Sequence, residues 1–291
     1  MDTSRRFSVP PDIDSEVARA LREDVGSGDV TARLVPADEL VSGEVVTRED
    51  AVLCGAPWAD ATFRQLDPRI ALDWHAADGD AVRADETVFS LRGPARPILT
   101  GERTALNFLQ LLSGVATAAR RFVQAVEGTG CTILDTRKTL PGLRAAQKYA
   151  VRCGGARNHR MGLHDMILIK ENHIASAGSI GAAVAAARRT DRPLQVEVEV
   201  ENLSELEEAL TADPDIIMLD NFDLSRLAAA VARARASRPA VKLEASGGAS
   251  LETVRAIAAT GVDFVSVGGL TKHVHAVDLS MRLAFSRPRT T

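Results

Sequence analysis

After Gly130 the chain alternates short β-rich runs with Ala-rich helical stretches, and this alternation restricts the possible folds more than any other feature of the sequence. Six runs are predicted as strands, at 132–134, 166–169, 194–200, 216–219, 241–244 and 264–267. Five helical patterns lie between them, near 142–153, 175–189, 203–212, 223–236 and 250–260. Such alternation predicts a parallel sheet of βαβ units. Because these units fit into about 140 residues and no GxGxxG follows the first strand, a closed or nearly closed α/β barrel is favoured over a doubly wound sheet.

The residues before Gly130 have a mixed pattern. A short helix is predicted over 16–23, strands over 43–47, 51–54 and 86–91, and a long helix over 99–127. We expect Thr100 to cap the long helix, with Arg103 in its first turn, and Ser113-Gly114 to interrupt it. The change of pattern predicts two domains, which the length of 291 residues also favours.

The composition indicates a globular protein of the cell interior. It has 35 Lys and Arg against 39 Asp and Glu, a net charge of −4, which argues against a protein that coats nucleic acid. The N-terminus lacks the apolar stretch of a secretory signal, and the Ala-rich stretch at 175–187 is too short to span a bilayer. Three cysteines without a CxxC pair fit a reducing cytoplasm and argue against a structural zinc site. We therefore expect a cytoplasmic protein without membrane or nucleic-acid partners.

Chemistry-bearing residues collect at the ends of the predicted strands, where α/β barrels place their active sites. Cations follow the first two strands, acids the next two and glycines the last two; they include Arg137, Lys138, Lys170, Glu199, Asp220, Gly247, Gly248, Gly268 and Gly269. Two successive glycine turns predict a phosphate site, because glycine lets an anion approach backbone N–H groups. The alternative is that these glycines only end strands and cap helices.

The cations predict an anionic ligand, since an enclosed pocket with several unpaired cations is unstable without one. Arg157, His159 and Arg160 add to the group. A lone histidine is more often structural, but the position of His159 between Asn158 and Arg160 favours a functional role. Lys148 and Arg152, by contrast, are interpreted as a solvated helix face.

Three glutamates, Glu197, Glu199 and Glu201, alternate along the third predicted strand and therefore share one face. Their mutual repulsion predicts that at least one lies outside the core or is paired with a cation. Glu199, with Asp220 at the next strand end, is placed to face a developing positive charge or a magnesium-bound phosphate, whereas Glu201 is expected to be exposed near a helix start.

Several long segments resemble the quinolinate phosphoribosyltransferase family. They include LDTRKTLPGLRAAQKYAVRCGGARNHRMGLHDMILIKENHI, VEVEVENL, IIMLDNF, LEASGG and FVSVGGLTKHVHAVDLSMRL, with LREDVGSGDVTARLVP and GERTALNFLQLLSGVAT nearer the N-terminus. The resemblance covers essentially the whole chain.

The resemblance implies transfer of a phosphoribosyl group from phosphoribosyl pyrophosphate (PRPP) to quinolinate, with loss of CO₂, to give nicotinate mononucleotide and pyrophosphate in NAD biosynthesis. It implies Mg²⁺, no organic cofactor, and a homodimer with shared active sites. It also implies an N-terminal α/β sandwich, residues 1–113, and an incomplete TIM-like α/β barrel, residues 114–272, with residues 273–291 packing back on the first domain.

The same resemblance assigns roles to individual residues. Lys138, Glu199 and Asp220 are the expected catalytic residues, and the last two are also the expected Mg²⁺ ligands, directly or through water. Arg103 is expected to reach the quinolinate of the neighbouring subunit. The other expected substrate-binding residues are Thr136, Arg137, His159, Arg160, Lys170, Ser246, Gly247, Gly248, Ser266, Val267, Gly268 and Gly269.

The implied chemistry agrees with the residue types. Quinolinate is a dianion, which accounts for the cations, and carboxylates suit the oxocarbenium-like ribose left by pyrophosphate. The ring nitrogen itself takes up the electrons of decarboxylation, and no GxSxG, HExxH or GxxxxGK[ST] motif occurs.

Three alternatives stay open at this stage. One is a phosphoribosyltransferase for another pyridine or azine acid, and a second is a barrel decarboxylase or aldolase that acts on a sugar phosphate. The third is a ligand-binding or molybdenum-associated paralogue without turnover.

Overall fold

The computed structural model describes residues 7–190 and 192–285. The chain forms two compact units. Of the described residues, the first unit takes those up to Ala118, those from 145 to 155 and those from Val274 onward. The second unit takes 119–144 and the described part of 156–273. No helix in the described ranges is both long and apolar enough to cross a membrane.

The first unit is built on a four-stranded antiparallel sheet with the order β12-β1-β5-β3. Its strands are β1 (Leu40–Thr47), β3 (Ala71–Trp74), β5 (Thr87–Pro94) and β12 (Leu279–Phe285), and a small hairpin pairs β2 (Ala51–Val52) with β4 (Ala81–Val82). Helices α1 (Ile13–Val25) and α2 (Ala56–Leu66) contact each other, and a 3₁₀ turn lies at Ala32–Leu34. Region 273–291, which is expected to pack on the first domain, contributes β12, and β12 pairs with β1. Its residues 286–291 lie outside the described part.

A long helix, α3 (Ala95–Ala125), supplies much of the first unit's core. It starts five residues before Thr100, so the predicted cap is wrong: the Thr100 hydroxyl instead donates to Asp29 and Arg96. The predicted interruption at Ser113-Gly114 is also absent. Ser113 bonds the backbone of Cys54, and a Cβ at Gly114 would collide with the backbone oxygen of His275. Both small residues therefore allow close packing rather than a break.

The second unit contains six parallel strands in the order β6-β11-β10-β9-β8-β7. Their bounds are β6 (Thr132–Leu134), β7 (Ile167–Ile169), β8 (Val196–Val200), β9 (Ile216–Asp220), β10 (Lys242–Ser246) and β11 (Phe264–Ser266). The first strand of this unit, β6, pairs with the last one, β11. The edges of the sheet are β6 and β7. The predicted α/β class and incomplete TIM-like barrel are confirmed.

Helices follow the strands as the alternation predicts: α4 (Arg144–Cys153), α5 (Glu171–Ala177), α6 (Ile180–Arg188), α7 (Leu203–Ala212), α8 (Leu224–Ser237), α9 (Val254–Ala259) and α10 (Gly269–Lys272). One predicted helix, at 175–189, is in fact two, because Gly178 takes a left-handed conformation and Ser179 caps α6. The interpretation of Lys148 as a solvated residue is wrong. Lys148 is buried on α4, and most of α4 belongs to the first unit.

Candidate active site

A cavity of about 690 Å³ lies at the C-terminal ends of the six parallel strands, within the second unit. Of the predicted residues, Arg103 does not line it, and neither does Arg157, which the sequence groups with the cations and which is exposed in the structure. All the other predicted site residues do. They are Thr136, Arg137, Lys138, His159, Arg160, Lys170, Glu199, Asp220, Ser246, Gly247, Gly248, Ser266, Val267, Gly268 and Gly269. Arg103 lies on α3 in the first unit with an exposed side chain, and its role at a neighbouring subunit's site stays a prediction.

Two guanidinium groups in the cavity lack a carboxylate partner. Neither Arg137 nor Arg160 forms an ion pair with any described residue, and the buried Nε–H of Arg137 donates to none of them. Burial, followed by the charge of Arg137, lowers the pKa of Arg160. An anion with two acceptor groups would compensate the positive charges of both side chains. The planar guanidinium fork is well suited to bind such groups.

The third cation, Lys170, is already paired. Its Nζ donates to Glu199 Oε2 at 2.6 Å, and the Glu199 side chain is only 10% exposed. Lys170 directly follows β7 and Glu199 lies on the adjacent β8, so the parallel register brings them to the same rim. Glu201 is exposed, as predicted, and the three glutamates separate as the repulsion argument requires.

The turn after β9 meets the glycine turn after β10. Asn221 has φ +56° and its Nδ2 donates to Asp220 Oδ2 at 2.8 Å. Its backbone N–H donates to the Ser246 carbonyl, and a Cβ on Gly247 would collide with the Asn221 side chain. Gly247 is therefore required by a close approach and by its φ of +104°.

The second glycine turn, after β11, packs against the Lys138 segment. A Cβ on Gly268 would lie 3.2 Å from Cδ of Lys138, and the Thr271 hydroxyl donates to the Lys138 carbonyl at 2.9 Å. The Lys138 side chain itself is exposed to the cavity. The arrangement thus places a cation beside a backbone that an anion can approach closely.

Three hydrogen bonds to other protein groups fix the position of His159. Its backbone N–H donates to Asp135 Oδ1 at 2.8 Å, its Nδ1 accepts from the Arg160 backbone N–H at 2.7 Å, and its Nε2 lies 2.9 Å from Glu197 Oε2. Glu197 and Glu244 are fully buried beside it. Burial and the neighbouring Glu197 raise the pKa of Glu244 to about 8, against the lowering influence of His159 and Ser266.

Seven cavity residues were not predicted: Leu168, Met218, Asn221, Glu244, Ala249, Lys272 and His273. Strand periodicity could have found three of them, because Leu168, Met218 and Glu244 each precede a predicted site residue by two positions. Glu244 precedes the predicted Ser246 by two residues, as Glu197 precedes Glu199, so both acids point to the same interior as the rim residue above them. The others carry no signal in their residue type.

Two family models match the chain. The quinolinate phosphoribosyl transferase N-terminal domain matches residues 29–113, and the C-terminal domain of the same family matches residues 115–282. Each match coincides with most of one predicted domain.

Named relatives agree with the family models. A probable nicotinate-nucleotide pyrophosphorylase [carboxylating] of Synechocystis sp. is 42% identical over 272 residues, covering 93% of this chain and 92% of the relative. The nicotinate-nucleotide pyrophosphorylase [carboxylating] of Mycobacterium leprae is 43% identical over 274 residues, with 92% and 95% covered.

A solved structure of the nicotinate-nucleotide pyrophosphorylase from Francisella tularensis superimposes with a TM-score of 0.90 at 46% identity, covering 96% of this chain and 98% of that one. Sequence motifs, fold and relatives therefore give one answer, and the resemblance is confirmed. The chain belongs to the quinolinate phosphoribosyltransferase family.

Proposed function

We propose that this chain transfers the phosphoribosyl group of PRPP to the ring nitrogen of quinolinate and releases pyrophosphate and CO₂, giving nicotinate mononucleotide for NAD biosynthesis. One observation carries the proposal. The cavity combines two guanidinium groups that have no anionic partner in the described part of the chain with two glycine turns suited to phosphate. A dianionic ring acid fits the first feature and a sugar phosphate the second.

Recognition of quinolinate falls to the cations. Arg137 and Arg160 take its carboxylates, with Lys170 beside them, and His159 holds the Arg160 backbone. Both ring nitrogens of His159 are bonded within the protein, so its contribution to the substrate is through Arg160. The glycine turns at Gly247–Gly248 and Gly268–Gly269 hold the phosphate.

Transfer begins as the bond between ribose C1 and pyrophosphate breaks. Positive charge develops on the ribose, and the Glu199 and Asp220 carboxylates stabilise it from the adjacent strand ends. Lys138 stabilises negative charge on the phosphoribosyl and leaving groups. The ring nitrogen attacks C1 and becomes cationic, and the electrons released at C2 as CO₂ leaves are held by that nitrogen until C2 is protonated.

Mg²⁺ fits the same two carboxylates. Glu199 uses Oε2 for Lys170 and Asp220 uses Oδ2 for Asn221, so each keeps a second oxygen as a hard ligand of the kind that Mg²⁺ prefers. When bound, Mg²⁺ would neutralise charge on pyrophosphate. These two residues would hold it, and no organic cofactor is needed for the chemistry described above.

The assembly we propose is a homodimer in which Arg103 of one subunit completes the other's quinolinate site. The side chain of Arg103 is exposed and does not belong to the lining of the cavity, which supports this sharing. A cytoplasmic location is supported by the three cysteines, all of which are thiols.

A direct assay tests the proposal. The purified protein is incubated with PRPP, Mg²⁺ and carboxyl-labelled quinolinate, and pyrophosphate and labelled CO₂ are measured together. We expect equal amounts of both, and no pyrophosphate with nicotinate in place of quinolinate. Turnover of nicotinate without CO₂ would indicate a phosphoribosyltransferase for a monocarboxylate, and ligand binding without pyrophosphate release would indicate a non-enzymatic paralogue.

A further inference from the structure

A buried acid pair, of which Glu244 borders the cavity, takes no part in the mechanism above. Glu197 on β8 and Glu244 on β10 are both 0% exposed. Their carboxylate oxygens and His159 Nε2 lie within 4.8 Å of one another, with Nε2 2.9 Å from Glu197 and 3.6 Å from Glu244. The Oε1 atom of Glu197 accepts no hydrogen bond from an N–H or O–H group of the described residues. Two buried acids so close to each other need a function or a compensating contact.

The protonation of His159 follows from its neighbours. A backbone N–H can only donate, so Nδ1, which lies 2.7 Å from the Arg160 N–H, is an unprotonated acceptor. The ring proton is therefore on Nε2, which donates to Glu197 Oε2. The two hydrogen bonds thus run in one direction: the Arg160 backbone N–H donates to His159, and His159 donates to Glu197.

This direction argues against a metal ion in the cluster, although its three side chains are common metal ligands. A metal at Nε2 would displace the proton, and a neutral ring would then carry it on Nδ1, facing the Arg160 N–H. The cluster is instead built to hold a proton. With Glu197 as acceptor for His159, Glu244 is the remaining donor for the second oxygen of Glu197, since two adjacent buried carboxylates do not both ionise.

We propose that Glu244 and Glu197 are positioning residues for quinolinate recognition: Glu244 donates a hydrogen bond to Glu197, Glu197 fixes the tautomer of His159, and His159 holds the backbone of Arg160. The series rests on the proposed function only in its last step, where Arg160 takes a substrate carboxylate. The negative charge of Glu197 also favours the charged form of the partly buried Arg160. In this series neither acid is assigned a contact with the substrate.

Two size-matched variants separate hydrogen bonding from space filling. Glu244→Gln keeps a donor for Glu197, whereas Glu244→Met keeps the volume and removes the donor. Glu244→Met leaves a buried oxygen of Glu197 without a partner, and the cluster can relieve this only by rearranging. Leu243→Met is the control, because Leu243 is equally buried on the same strand and faces the opposite side of the sheet.

We expect Glu244→Gln to keep the KM for quinolinate within about twofold of the wild-type value. Glu244→Met should raise it by about tenfold or more, with the KM for PRPP changed less than about threefold. Equal quinolinate KM values for the two variants, or a parallel rise in both KM values, would overturn the proposal, because space filling or general loosening of β10 would then suffice.

A measurement independent of turnover accompanies the kinetics. In ¹⁵N-histidine-labelled protein, His159, assigned with a His159→Asn variant, should show a protonated Nε2 in the wild type and in Glu244→Gln and lose this single tautomer in Glu244→Met. A wild-type protein that shows this tautomer but does not use quinolinate would contradict the proposed function alone. A wild-type His159 protonated on Nδ1 would overturn the positioning series itself.

Discussion

The three cations that line the quinolinate side of the proposed site, Arg137, Arg160 and Lys170, differ in ion pairing. Lys170 is neutralised by Glu199, while the two arginines lack an ion-pair partner among the described residues. The sequence predicts that cations gather at these strand ends, because residue type and strand order are visible in it. It cannot predict which of them are paired, since pairing depends on side-chain distances across the strands.

At Lys138 and Glu199 we predict loss of turnover without loss of folding. Lys138→Ala and Glu199→Ala should each lower kcat by about a hundredfold or more, because each removes a charge that acts in the transition state. Lys242→Ala is the matched control, because Lys242 is exposed and pairs with Asp263 away from the cavity lining. Thermal melting should show all three variants folded. Aggregation of the first two would indicate a structural role instead.

Glu244 makes the stability of the fold depend on pH. Its pKa is raised from 4.5 to about 8 in the folded protein, so between these values the folded state binds a proton that the unfolded state has lost. The contribution of Glu244 to stability is thus fully present below pH 4.5 and is lost as the pH rises through 8. Glu244→Gln, which carries no such proton, should gain in Tm relative to the wild type between pH 5 and pH 8. A Tm difference that is constant over this range would contradict the raised pKa.

Among the elements, the six parallel strands were predicted best. Each contains at least one buried Val, Ile or Leu, and β6 and β9 deviate by at most one residue from their predicted bounds. Helix α3 was predicted with nearly its observed extent, but its predicted interruption was wrong, because Ser113 and Gly114 are helix breakers by type and small packing residues by position. Strand β3 and helix α2 were not predicted.

The two glycines after β10 give an element-scale test. Gly247→Ala places a Cβ against Asn221 at φ +104°, whereas a Cβ at Gly248, with φ +61°, meets nothing within 4 Å. Gly247→Ala should therefore raise the KM for PRPP by about tenfold or more, and Gly248→Ala by clearly less. Steady-state kinetics with PRPP varied at saturating quinolinate measure both. Equal effects of the two substitutions would show that the close approach to Asn221 does not shape the phosphate turn.

At the scale of the whole molecule, the order of residues along the chain does not reveal the grouping of residues 145–155 with the first unit. Their helical pattern is the same as that of the barrel helices. The burial of Lys148 and Tyr149 in the first unit depends on neighbours distant in sequence. A contact between Arg103 and a second subunit would likewise depend on residues that are distant in sequence, so it is tested by experiment.

Hybrid dimers test the shared site. Arg103→Ala and Lys138→Ala are each expected to be inactive, but a mixed dimer would contain one site with both native residues. After complete subunit exchange, half of the dimers are mixed and half of their sites are intact, so activity should return to about a quarter of the wild-type value. Subunit exchange is verified with distinguishable tags. No recovery after verified exchange would contradict sharing through Arg103.

A crystal structure with quinolinate and a non-hydrolysable PRPP analogue tests the central claim most directly. We predict the two carboxylates of quinolinate against Arg137 and Arg160, and the 5′-phosphate against Gly247–Gly248 and Gly268–Gly269, in one cavity. Quinolinate bound elsewhere, or a phosphate group seated between the two arginines, would contradict the account.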